Sequence, residues 1–89
     1  MVNYATSEGF TFNMLMLKSF SLCDECSKLD VWEESRCSEK LNILRNYRDN
    51  LLQFDFEDEF EIKQKDGMIK NLSAMITKLE TLKKDDIKN

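Results

Sequence analysis

The 89-residue chain predicts an all-α protein, and three observations carry that reading. Proline is absent and only two glycines occur, which leaves few of the turns that a many-stranded fold needs. Three segments repeat apolar residues at three- and four-residue spacing, the period of a helix with one buried face. Apolar residues make up 42% of the chain and charged residues 34%, enough for a core beneath a solvated surface and unlike a disordered chain. The expected architecture is a single helical domain over 1–89, with a long antiparallel hairpin of the second and third helices and the first packed across it. The segments 1–9 and 85–89 are expected to fray. A chain this short buries only about 60 to 65% of its unfolded surface, so association would add to a thin stability.

The first helix is expected over about 11–29, with Thr11 as its cap after the turn-like cluster Thr6-Ser7-Glu8-Gly9. Stepping about 100° per residue gathers Phe12, Leu15, Met16, Ser19, Leu22, Cys23, Cys26 and Leu29 on one face. Phe10, Met14 and Leu17 fall outside that face and form a second apolar strip. A small monomer has little mass to cover two apolar sides of one helix, so these three residues are the candidate interface of a homo-oligomer.

Asp30 and Glu33 have capping-box spacing, which starts a second helix over about 31–54. Cys37, Leu41, Leu44, Tyr47, Leu51, Leu52 and Phe54 share its apolar face. In the third segment Ile69, Leu72, Ile76 and Leu79 repeat at three-four spacing, flanked by Met68, Met75 and Leu82. Lysines 78, 83 and 84 load its carboxy-terminal end, where the helix dipole favours cations. This helix runs to about residue 84 and begins either near 57, with Asp55 as N-cap, or at Asp66. Gly67 inside a helix costs about 1 kcal/mol against alanine and keeps the later start open. The alternative fold is a small α+β protein with a strand at 54–62, because Phe54, Phe56 and Phe60 alternate with acids. Its partner would be the stretch from Phe10 to Met16, and two strands make a poor sheet.

Thirteen basic residues against seventeen acidic ones leave a net charge of −4, and the cations are scattered. Direct nucleic-acid binding is not expected, since it draws its affinity from clustered cations. The chain has no run of about 18 apolar residues for a membrane span. Met14 to Leu17 is interrupted by Lys18 and follows no basic amino-terminal segment, so it is not expected to be a signal peptide. Three cysteines form no closed disulfide set, and a reducing, cytoplasmic setting suits them.

Cys23 and Cys26 have CxxC spacing, and Cys37 would give zinc a third thiolate. Histidine is absent, there is no second pair, and the helical phase puts Cys23 and Cys26 on the apolar face as small buried hydrophobes. The expectation is therefore no cofactor, with these three cysteines as weak metal candidates. Without histidine the usual proton carrier and the serine triads are closed off, and no glycine pattern cradles phosphate, so no enzymatic activity is expected.

The feature left over is the run Asp55, Phe56, Glu57, Asp58, Glu59, Phe60, Glu61. Read as architecture, its acids complement the start of a helix. Read as a recognition surface, its carboxylates meet Lys and Arg on a partner while Phe56 and Phe60 supply apolar anchors. The leading functional expectation is a non-enzymatic inhibitor or adaptor that covers a basic or hydrophobic surface of a larger protein. By analogy of form with small viral or plasmid antagonists, nucleic-acid-handling and defence proteins are the partner classes considered. The alternatives are a structural helical-bundle subunit of a larger complex and a regulator that binds metal through its cysteines.

Overall fold

The structure, a computed structural model, describes residues 5–88, with residue 88 described by its backbone alone. Three helices make up the fold: α1 from Phe12 to Ser27, α2 from Glu34 to Leu51 and α3 from Glu59 to Lys88. Among the described residues there is no strand, only an isolated antiparallel bridge between Ala5 and Thr11. The strand considered at 54–62 is thus replaced by an extended connection and the first turn of α3. The proposed strand partner fails for the same reason, since residues 12–16 are helical. Residues 1–4 and 89, which belong to the segments expected to fray, lie outside the described residues. Residues 85–88 continue α3.

At about 1.5 Å per residue, the 30 residues of α3 span about 45 Å and set the 49 Å long axis. α2 runs antiparallel to it: Trp32, just before α2, lies under Lys83 near the end of α3, and Arg45 meets Glu80 at 3.3 Å. α1 runs parallel to α3. Phe12 packs edge-on against Phe54 and Phe56 ahead of α3, and Lys78 reaches the carbonyls of Cys26 and Ser27 at the other end.

Leu15, Leu22 and Cys26 from α1, Leu41, Leu44 and Leu51 from α2, and Met68, Leu72, Ile76 and Leu79 from α3 form one core with Phe54 and Phe56. Two polar residues join this interior. Ser19 is fully buried at the point where α1 is enclosed, and its hydroxyl has no hydrogen-bond partner among the described residues. Asn50 is fastened by donating from Nδ2 to the Asn46 carbonyl at 2.8 Å and to the Glu8 carboxylate.

Several helix boundaries differ from expectation for identifiable reasons. Thr11 does cap α1, accepting from the Met14 amide at 3.2 Å. The Asp30 capping box does not form. α2 starts three residues later than expected, with Glu33 at the N-cap and no side-chain cap bond. The Cys37 sulfur takes over locally, accepting from the Glu33 amide at 3.3 Å and donating to the Val31 carbonyl at 3.7 Å. α2 ends at Leu51, so Leu52, expected on the apolar face, is exposed. At α3 the cap is Asp58 rather than Asp55: its carboxylate accepts from the Glu61 amide at 3.1 Å. The helix then passes through Gly67 without a break.

Candidate functional site

The acidic run folds as a corner between α2 and α3. Phe54 and Phe56 turn inward and stack with their ring centroids 5.7 Å apart, and Phe12 lies edge-on to both. Phe56 is only 9% exposed, which removes it from the expected binding surface. An extended connection alternates its side chains, so Phe54 and Phe56 share the inner side while Asp55 and Glu57 take the outer one. Once α3 starts, the period changes and Phe60 emerges on the outside at 68% exposure.

Around Phe60 the carboxylates divide by role. Asp58 is held by its cap bond. Asp55, Glu57 and Glu59 are exposed and Glu61 is half-buried, and among the described residues none of the four makes an ion pair. The corner is fixed from below by Lys65, whose ammonium donates to the Phe54 carbonyl at 2.9 Å. Of the seven residues of the expected site, five are exposed, Glu61 is half-buried and Phe56 lies in the core.

The expected oligomer strip is rearranged. Phe10 is half-buried, with its ring edge-on to Tyr47 at 5.9 Å, and it lies in a turn that is itself tied down. In that turn the Thr6 hydroxyl accepts from the Phe10 amide at 3.2 Å and the Ser7 amide donates to Gln53 at 2.9 Å. Glu8 accepts from Asn46 at 2.8 Å as well as from Asn50, and these bonds, Asn50 foremost, hold its carboxyl below the ordinary range. Met14 and Leu17 remain exposed, as expected, and Phe20 joins them at 56% exposure. That addition was readable: Phe20 follows Leu17 by three residues and Met16 by four, which continues the strip along one side of a helix.

Beside this strip runs a groove of about 450 Å³ between α1 and α3, lined by Met16 and Phe20 on one side and Lys63, Gln64, Gly67 and Lys70 among those on the other. A side chain added at Gly67 would meet nothing within 4 Å, so the glycine marks open space and not tight packing. Phe60, Gln64, Gly67 and Asn71 succeed one another at four-three-four spacing and so form a row on the α1 side of α3. In the sequence Gly67 is only a helix-breaking cost, and no local pattern singles out Lys63 or Lys70.

The cysteines are placed as the apolar phase predicts, with Cys26 and Cys37 buried and Cys23 half-buried. Among the described residues no three histidine, cysteine or acidic side chains converge to hold a metal ion. Burial, with a smaller contribution from Cys26, pushes the Cys23 thiol up to about 11, and burial also raises Cys26. Both thiols are held protonated at neutral pH and are poor nucleophiles and poor ligands in that form. Trp32 is half-buried against the core, donates from its indole to Glu34 at 2.7 Å and carries the Lys83 ammonium 5.6 Å above its ring. Among the described residues no helix is long and apolar enough to cross a membrane.

Compared with known protein families, curated proteins and solved structures, the chain has no match.

Proposed function

We propose that this protein works by binding, without catalysis of its own, as an inhibitor or adaptor that covers a basic and partly apolar surface of a larger protein. The observation that carries the reading is Phe60, a large apolar side chain 68% exposed in a stretch of chain that also holds Asp55, Glu57, Glu59 and Glu61, carboxylates that make no ion pair among the described residues. Folding gains nothing from a solvated phenyl ring, whereas an interface gains most from a central aromatic that is desolvated on contact. The carboxylates around it supply orientation and rate of encounter with Lys and Arg on the partner. A net charge of −4 favours the same kind of partner at longer range.

The test is capture from the native cell after cross-linking at natural abundance, followed by mass spectrometry. Wild-type protein is compared with Phe60→Ala and with the pair Glu57→Lys and Glu59→Lys. Asp58 is left intact because it caps α3. All the altered side chains are exposed, so helicity measured by circular dichroism stays unchanged while the partner is lost. A partner retained by both variants at undiminished yield would sink the proposal.

A further inference from the structure

The face that carries Phe60 also carries an opening suited to receive it. On α3, Phe60 and Gly67 are seven residues apart, about 10 Å along the axis, and both lie on the side that faces α1. Phe60 projects from this face, and over Gly67 lies the groove of about 450 Å³ bounded by Met16 and Phe20. An enclosed apolar cavity of about 150 Å³ is enough for benzene, so a phenyl ring fits with room for its neighbours. A projection and an opening on one face are the requirement of an isologous contact, in which a two-fold axis exchanges them and the assembly closes at two copies.

The charges choose between occupants. Lys63 and Lys70 line the groove, and among the described residues neither makes an ion pair, nor do Glu57 and Glu59, which flank the start of α3 ahead of Phe60. A segment of a single charge sign would meet like charge at one of these two places. An antiparallel copy of the same face does so only at Lys63, which the two-fold axis sets near its own mate beside the neutral Gln64, and its other charges meet opposite ones. With Phe60 of one copy over Gly67 of the other, the same register brings Lys70 of each beside the Glu57 to Glu59 turn of its mate.

We infer that the chain forms an antiparallel two-fold dimer through the α1–α3 face, each Phe60 seated over Gly67 between Met16 and Phe20 of the second copy, with Lys70 paired to the opposing Glu57 and Glu59. The inference stands apart from the heterotypic partner, because it concerns the purified chain alone. A dimer of this kind covers Phe60 and would compete with any partner that uses it.

Sedimentation velocity over a concentration series tests it. The wild-type chain shows a dimer that dissociates on dilution. Phe60→Ala removes the projection and Gly67→Leu fills the opening, and each weakens dimerisation on the order of tenfold or more. Leucine is a far better helix former than glycine and a Cβ at this position has no atom within 4 Å, so Gly67→Leu melts higher as a monomer, and its loss of dimer is not a loss of fold. Lys70→Glu weakens the dimer, and adding Glu57→Lys and Glu59→Lys to it restores the dimer. A wild-type chain that stays monomeric up to about 1 mM, the weak end of the affinity scale, overturns the inference. So does a dimer indifferent to both Phe60→Ala and Gly67→Leu, or a charge exchange that restores nothing.

Discussion

The first helix is joined to its two neighbours by seams of opposite character. Against α2, Lys40 crosses to Glu25 at 3.0 Å, and the cleft of about 310 Å³ between them is lined mainly by charged and polar side chains such as Lys18, Glu25, Arg36 and Glu39. Against α3, the far end is locked by Lys78 and the near end is left open over Gly67, with Met16 and Phe20 at its edge and with Lys63 and Lys70 making no ion pair among the described residues. The first cleft sets charged groups beside Leu22, Ile43 and Tyr47, so solvent can meet its charges at little cost. The second gap leaves apolar side chains wet, and the helix that forms its floor carries a glycine costing about 1 kcal/mol in intrinsic propensity. A seam arranged for the stability of the monomer alone would have a leucine or methionine at Gly67. The contrast separates a seam bridged by an ion pair from one left open over a glycine.

The largest effect comes from striking the core that both seams share. Leu15 is fully buried among residues of all three helices, and Leu15→Ala removes its contacts on both sides of α1. The expected cost is about 2 to 5 kcal/mol, a large part of the stability of so small a domain. Chemical denaturation checks it through the midpoint, with an unchanged slope. A cost below about 1 kcal/mol would mean that α1 is held by its seams and not by its core.

The next effect separates the two ends of the α3 seam. Lys78 donates to the carbonyls of Cys26 at 3.0 Å and Ser27 at 2.8 Å, groups that end α1 without partners inside the helix. α1 has no basic residue in its own last turn, so the cation that its dipole favours arrives from α3. Lys78→Met keeps the apolar stem and removes the donor, at a cost of about 1 to 2 kcal/mol. Hydrogen exchange should quicken at the last turn of α1 and stay slow around Leu15. Uniform acceleration along α1 would show that the lock governs the whole seam, including its open end.

How much of this could be read beforehand follows from the range of the forces involved. The buried faces of α1 and α3 follow from period alone, since Leu15, Leu22 and Cys26 or Leu72, Ile76 and Leu79 are set by local helical geometry. The caps were legible only in part: Thr11 acts as its residue type suggests, whereas Asp30 and Asp55 lost to Cys37 and Asp58 because tertiary packing fixed where the chain turned. Phe56 and Phe60 show the same limit at the candidate site. They are four residues apart, which one helix would put on one side, yet the helix begins between them and sends one ring inward and the other out. Glu8 bonding to Asn46 and Asn50, and Lys78 capping α1, join residues about 40 and 50 positions apart, and no local pattern announces such pairs. The groove needed the relative placement of α1 and α3, because Gly67 is a defect in a helix until Phe20 is seen beside it.

The smallest effect tests whether the α2 seam is electrostatic at all. Glu25 is more than half exposed and Lys40 about one-fifth, so their pair is screened by solvent and contributes at most about 1 kcal/mol. Glu25→Gln keeps the shape and removes the charge, and thermal melts of variant and wild type should differ by a few degrees in dilute buffer. At about 1 M salt the screening length falls to about 3 Å, and the difference should shrink towards zero. Persistence of the gap at high salt would assign the effect of Glu25 to its hydrogen bond and packing. Lys70→Gln provides the counterpart on the other seam, because its charge has no ion-pair partner within the described monomer. Its monomer stability should match wild type within about 0.5 kcal/mol at either salt concentration. If Lys70→Gln instead destabilises the monomer as Glu25→Gln does, the two seams are alike in their charges, and the contrast between them rests on the open glycine alone.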